Sequence, residues 1–374
     1  MKIAINTRLV LENRMDGMGW YIYETTRRMV AAHPEVEFHL LYDRTPDHFL
    51  IEGTNVVNHV LPPQARHSIL QKIWHQWSVK RCLQKFRPDA YVSADAQLTL
   101  GLKVPSVLVI HDINFEHYPK DIPGHYSRYL RKYSPLFARA ASHLVTVSSY
   151  SAQDIASHYG IERNKILVIP NGVNDDFRPL TSKEKDDIRQ ELTGGDPYFI
   201  FVGSIHPRKN LHRLLQAFDI FKNETKSRVK LLVAGNLFYM HDELRSALDQ
   251  MQHRQDVIEG GRMDASRLHL AVGGALANVY VSYFEGFGIP VLEGFRCGVP
   301  VIGGNQTAIP EVAGDAAHLV NPFDIRDIAD GLKKVYADEA YRDTLISRGL
   351  QRASQFSWEH TSRELWRAIH SITN

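Results

Sequence analysis

The chain contains only two cysteines, Cys82 and Cys297, far apart and in no CxxC arrangement. This excludes a disulfide framework and a structural zinc site, and it fits a reducing cytoplasm. No stretch approaches the ~18 consecutive apolar residues of a membrane span, and the start of the chain, Met1 to Arg8, has no long apolar run of a signal peptide. Net charge is nearly absent: 44 Lys and Arg face 42 Asp and Glu, a formal +2 over 374 residues. A nucleic-acid binder with a generally basic surface is therefore not expected. The composition also lacks the signature of disorder, because 44% of residues are hydrophobic and 23% charged. No Asp-x-Asp occurs anywhere, so a common acidic metal-binding signature is missing.

What remains is a cytoplasmic globular chain whose length suits two domains of roughly 150 residues each. Short apolar runs alternate with helix-length segments throughout, the pattern of parallel sheets covered by helices on both faces. In the first half the runs at 2–7, 37–42, 89–93, 106–110, 143–148 and 166–169 read as strands, with helices near 20–32, 68–86, 124–141 and 149–159. Pro170-Asn171-Gly172 is a turn signal, and a polar, charged stretch runs on to Gly194-Gly195. The alternation then restarts with strands at 198–203, 230–234, 256–259, 279–282, 299–302 and 318–320. These patterns predict an N-terminal domain over 1–175, a C-terminal domain over 176–356, and a terminal helix over 357–374 whose start Ser357 caps. Charge is uneven between the halves: residues 1–170 carry 20 basic and 15 acidic side chains. That suits an anionic ligand or surface on the N-terminal side, though ordinary scatter explains it nearly as well.

Ligands of doubly wound sheets bind beyond the carboxyl ends of the strands, so the chemistry is sought in those loops. Gly17 and Gly19 follow the first strand and lead into a helix, where backbone amides can approach a phosphate. The third glycine of a dinucleotide fingerprint is replaced by Ile22, which argues against a dehydrogenase and leaves a tight turn as the simpler account. His111 ends a fully apolar strand and reads either as a site residue or as a hydrogen-bonded loop histidine; His117, six residues on, reads as structural. Gly203 closes the first strand of the second half, and Arg208-Lys209 follow just before a helix expected to start at about Asn210. Two cations there can hold a diphosphate, or can simply be solvated. The densest segment runs from Val281 to Ile302. Glu285 sits in a glycine-flanked loop, Phe287, Gly288 and Ile289 lead into a helix with Pro290 in its first turn, and Glu293 falls one turn further.

With Glu285 and Glu293 spaced as E-x7-E, the chain resembles the retaining glycosyltransferases of family 4, which have the GT-B fold: two Rossmann-like, doubly wound α/β domains facing a central cleft. The resemblance covers nearly the whole chain through the Gly17/Gly19 loop, His111-Asp112, Val147-Ser148, residues 169–173, 203–210 and 285–293, and Pro310-Glu311-Val312. It implies that Glu293 binds the ribose hydroxyls of a nucleotide and Glu285 those of the donor sugar. Arg208 and Lys209 would neutralise the diphosphate, assisted by Gly203, by backbone amides of Phe287, Gly288 and Ile289, and by the Gly17 loop. His111 would lie beside the donor sugar, giving a catalytic set of His111, Arg208, Lys209 and Glu285. Retention of configuration and no metal or other cofactor are expected, and the terminal helix is expected to cross back onto the N-terminal domain.

Acceptor-side candidates, from loop position alone, are Trp20, Tyr21, Asn114, Glu116 and Tyr118. Residues 66–81 interleave aromatic, apolar and basic side chains at helical spacing. They read either as a peripheral contact with the inner face of a membrane or, more simply, as a core-facing helix with basic flanks. The expected partners are a nucleotide sugar and a glycan or lipid-linked acceptor, with no nucleic acid. Mannose from GDP-mannose is the favoured donor, because the 307–311 and 111–113 contexts look most like those of mannosyl transferases. A UDP- or TDP-sugar donor, an epimerase or phosphorylase on a similar fold, and a non-catalytic nucleotide-binding partner subunit are the alternatives.

Overall fold

A computed structural model describes residues 1–12, 15–235 and 242–373. The chain divides into two compact units, Met1–Gly172 together with Trp358–Asn374, and Val173–Ser357.

Unit 1 is built on a seven-stranded sheet. Its strands are β1 (Lys2–Asn6), β2 (Glu37–Tyr42), β3 (Val56–Val60), β4 (Ala90–Ser93), β5 (Ser106–Val109), β6 (His143–Thr146) and β7 (Ile166–Val168). All pairings are parallel in the order β3-β2-β1-β4-β5-β6-β7. Unit 2 repeats the plan with six strands: β8 (Tyr198–Val202), β9 (Lys230–Ala234), β10 (Val257–Gly261), β11 (Ala277–Tyr280), β12 (Val301–Gly304) and β13 (His318–Val320). Their order is β10-β9-β8-β11-β12-β13, again all parallel. In each sheet the order reverses once, between β1 and β4 and between β8 and β11. Such switch points open a crevice at the carboxyl ends of the two strands.

The central strands are continuous apolar runs because helices cover both their faces. β8, Tyr-Phe-Ile-Phe-Val, is buried along its whole length. Phe199 and Phe201 pack in one cluster with Leu214, Phe218 and Phe221 of the helix Leu211–Thr225. Full burial of each such side chain is worth about 1.5–3 kcal/mol. Helix ends follow local chemistry. Asp16 and Ser148 cap the helices Gly17–Ala32 and Ser149–Tyr159, and Thr181 with Glu184 forms a reciprocal capping box on Ser182–Thr193.

Two features depart from the sequence reading. β3 was not expected: its Val-Val-Asn-His-Val lies at the sheet edge, where half-exposed polar positions blur the pattern. The single helix expected over 68–86 is three pieces, Ser68–Ile73, a π-helical Trp74–Val79, and Lys80–Phe86. The terminal helix, Trp358–Ser371, lies on unit 1. Ser362 donates to the Thr25 carbonyl (3.1 Å), Thr361 donates to that of Pro170 (2.7 Å), and Trp366 stacks on His33 at 3.8 Å.

Candidate active site

The switch point of unit 2 gathers most of the expected donor-side residues. β8 runs into Gly203, whose amide donates to the Ala234 carbonyl (3.0 Å), and then into a short 3-10 turn, Pro207–Lys209. His206 caps that turn by accepting from the Arg208 amide. Asn210 ends it in the left-handed region at φ 64°, a conformation asparagine tolerates better than most residues. Its side-chain amide donates to the carbonyls of Val281 (3.0 Å) and Pro322 (2.6 Å), tying the loop to the end of β11. The turn is thereby held where Arg208 and Lys209 meet the loop after β11.

That loop carries Glu285, which is 5% exposed. Arg208 donates to its Oε2 at 2.7 Å and also to the Phe284 carbonyl at 2.9 Å, while Lys209 Nζ donates to Oε1 at 2.6 Å. Burial alone would raise the Glu285 pKa. Arg208 and Lys209 reverse this and hold it at about 2, so the carboxylate is ionised. Tyr280, the last residue of β11, donates its hydroxyl to Glu285 Oε1 at 2.8 Å and touches Lys209 Nζ through the same oxygen and the ring face. Burial and the neighbouring Glu285 keep that phenol protonated. Thr307 accepts from the Glu285 amide (3.0 Å). Neither Tyr280 nor the Thr307 hydroxyl was singled out from sequence, since a strand-end tyrosine reads as core. The E-x7-E pattern likewise gives no sign that its first glutamate is paired with Arg208 and Lys209.

Gly288 stands at φ 103°, which favours glycine, and turns the chain into the helix Ile289–Arg296. Phe287 anchors the turn by packing edge-on against Phe356 at 5.7 Å. Glu293 lies in the second turn. Burial, only partly opposed by Lys209, pushes its carboxyl up to about 7, and among the described residues no donor binds it. A half-buried carboxyl with a shifted pKa and no donor among those residues is a candidate binding group.

The other expected residues belong to unit 1. His111 follows β5, and its Nε2–H donates to the Ala94 carbonyl at 3.1 Å, leaving Nδ1 as the lone-pair nitrogen. Burial lowers its pKa, against the pull of that carbonyl and of Asp112, so the ring is neutral at pH 7. Gly17 opens the first helix. Gly19 is required by close packing, because a Cβ there would lie 2.8 Å from the Leu9 carbonyl oxygen. Its amide already donates to the Asp16 carboxylate (3.0 Å), so an acidic side chain occupies this helix start. Trp20 is half-buried and meets Tyr23 edge-on.

One acceptor-side expectation is corrected. Tyr21 is fully buried and packs edge-on against both His111 (5.0 Å) and Trp358 (6.0 Å), so it backs the histidine and does not face an acceptor. Glu116 accepts from Arg131 (3.0 Å) and Tyr159 (3.3 Å). Asn114 and Tyr118 are half-buried on either side of it, in and after the short helix Asn114–His117. His117 turns to Asp154 (2.8 Å) beside His158.

Sequence reasoning also missed the switch point of unit 1. Arg8, just after β1, donates to the buried Asp95 carboxylate after β4, which Ser93 and His75 also approach. Burial opposes ionisation of Asp95, but Arg8 and His75 pull its pKa well below the carboxylate range.

These two parallel units match known families. The description "Glycosyltransferase Family 4" fits residues 15–177, and "Glycosyl transferases group 1" fits residues 182–352, so together they span most of the chain. The O-antigen chain mannosyltransferase B of Escherichia coli is 27% identical over 97% of this chain and 98% of its own. Among solved structures, sucrose-phosphate synthase from Thermosynechococcus elongatus superposes with a TM-score of 0.81 at 17% identity, covering 100% and 99% of the two chains. HepE from Anabaena, solved in complex with UDP-glucose, gives 0.77 at 16% identity, covering 99% and 100%. The fold is GT-B, and the chain belongs to the family 4 glycosyltransferases. No helix among the described residues is long and apolar enough to cross a membrane.

Proposed function

We propose that this glycosyltransferase moves mannose from GDP-mannose to a glycan or lipid-linked glycan in surface polysaccharide assembly, with retention of configuration and without a bound metal. The observation that carries the reading is the cluster of Arg208, Lys209, Glu285 and Glu293 at the switch point of unit 2. When the bond from the anomeric carbon to the phosphate oxygen breaks, its electron pair stays on the departing diphosphate. Arg208 and Lys209 are fixed cations suited to that charge, and the start of the helix Ile289–Arg296 adds its dipole. The acceptor oxygen bonds the anomeric carbon on the same face, and its proton passes to the leaving phosphate oxygen. Glu285 takes the donor sugar's hydroxyls and Glu293 the ribose hydroxyls, supplying the donors its carboxyl lacks. His111 of unit 1, neutral with Nδ1 as its lone-pair nitrogen, is a further candidate by family resemblance alone.

The name of the Escherichia coli relative supports mannose and O-antigen-type chains. A UDP-sugar donor is the second reading, favoured by the UDP-glucose bound to HepE. A thermal-shift series with GDP-, UDP-, ADP- and TDP-sugars, in chelator throughout, tests both. A rise with GDP-mannose that Glu293→Ala abolishes is the expected result. A rise confined to UDP-sugars replaces the donor, and no rise with any of them defeats the donor-site reading.

A further inference from the structure

We propose that unit 1 docks on an anionic phospholipid bilayer through the outer face of residues 68–86 and the neighbouring helix Gly124–Ala140. The proposal concerns where the protein sits and holds whichever sugar it transfers.

The first observation is exposed apolar area in one line. Ile69 is 63% exposed, Ile73 40% and Trp77 70%, while Trp74, Val79 and Leu83 of the same segment are buried in the core of unit 1. The segment therefore does both things its sequence allowed, with one face inward and one face bare. The π-helical turn aligns the bare face. Four α-helical residues overshoot a full turn by about 40°, so two such steps carry position 77 well round from position 69. The wider π turn over Trp74–Val79 undershoots instead and brings Trp77 back over Ile69. Leu136, 44% exposed, adds to the area from the neighbouring helix. Four of the ten large apolar side chains exposed among the described residues thus fall on these two helical stretches.

The second observation is charge. Residues 66–87 carry Arg66, Lys72, Lys80, Arg81, Lys85 and Arg87, and residues 124–140 carry Arg128, Arg131, Lys132 and Arg139, with no acidic residue in either stretch. Lys72 and Lys132 converge on one ring, their Nζ atoms 5.3 and 5.6 Å from the centre of Tyr133. His67 stacks on His125 at 4.7 Å, so the two stretches form one surface. A protein partner is the poorer match, because protein interfaces deplete lysine. A tryptophan and aliphatic stripe flanked by lysine and arginine is the chemistry of a bilayer interface with anionic headgroups.

The test is co-sedimentation of the full chain with phosphatidylcholine vesicles, with and without phosphatidylglycerol at roughly a third of the lipid. Binding should require the anionic lipid and weaken with salt. The double substitution Ile73→Ser/Trp77→Ser and the charge reversal Lys72→Glu/Lys132→Glu should each lower the partition coefficient about tenfold or more with the melting temperature unchanged. If the double variant melts early, fluorescence quenching by brominated acyl chains decides: the wild type should be quenched and Trp77→Phe markedly less. Absence of binding, variants that bind like wild type, or equal quenching of both proteins would overturn the proposal. So would concentration-dependent dimerisation that the same substitutions abolish, since a second copy would then own the face.

Discussion

Lys209 and Glu285 stand 76 positions apart in the chain, yet the lysine ammonium donates to the glutamate carboxylate at 2.6 Å inside unit 2. Arg208 holds the other oxygen of the same carboxylate. The two cations suited to a diphosphate are thus kept in place by the acid suited to the sugar.

Removing that acid should cost both chemistry and stability. Glu285→Gln leaves Arg208 and Lys209 close together without a countercharge, and breaking a buried pair in this way costs about 3 kcal/mol. Transfer should fall by at least about a hundredfold, the scale of losing one fixed electrostatic contact in a reaction centre. Turnover and thermal unfolding read the two effects, and a variant with wild-type turnover would remove Glu285 from the site.

Glu293 sets a pH dependence of opposite sign to the usual carboxylate. Its folded pKa, about 7, lies above the ordinary 4.5. The folded state therefore binds its proton more tightly, and stability declines as pH rises from about 4.5 through 7. With partial exposure taken into account, the loss is about 1–3 kcal/mol. Glu293→Gln should flatten this slope and raise the melting temperature at pH 8 while weakening nucleotide binding. Glu285 works the other way: its stability is present above the ordinary range and is lost as pH falls towards 2. Denaturant melts at pH 5 and 8, wild type against variant, test the slope.

Tyr280→Phe keeps the ring over Lys209 and deletes the hydroxyl between Lys209 and Glu285. The loss of one hydrogen bond to a charged group is about 1.5–3 kcal/mol. Turnover should drop about tenfold or more, with a smaller change in donor affinity than Glu293→Ala causes. Equal kcat in the two proteins would show that Tyr280 is only packing.

Deleting residues 358–374 strips Trp358, Leu365 and Ile369, all buried, from unit 1. Unit 1 should then unfold at a lower temperature while unit 2 keeps its own transition. Calorimetry on the truncated chain resolves this, and an unchanged first unit would contradict the packing of Trp366 on His33 and of Ser362 on Thr25.

If the proposed mechanism holds, chelator should leave transfer intact, because Arg208 and Lys209 would supply the positive charge that the leaving diphosphate needs. Loss of turnover in chelator, restored by magnesium or manganese, would overturn the metal-free mechanism.

The sequence by itself determined the parallel α/β class, the restart of the pattern in a second half, and the placing of Glu285 and Glu293 around a helix start. Those signals are local: an apolar run followed by a helical period, or two glutamates within one loop and helix, need no knowledge of distant contacts. Tertiary structure alone decided which strand ends adjoin. The order reversals between β1 and β4 and between β8 and β11 bring Arg8 to Asp95 and Lys209 to Glu285, with Tyr280 between the last two. It also put Tyr21 in the interior behind His111, although its loop position had pointed to an acceptor, because the terminal helix closes over it with Trp358. A parallel sheet joins strands through long crossovers, so the residues meeting at its carboxyl edge are set by strand order, which no local pattern encodes.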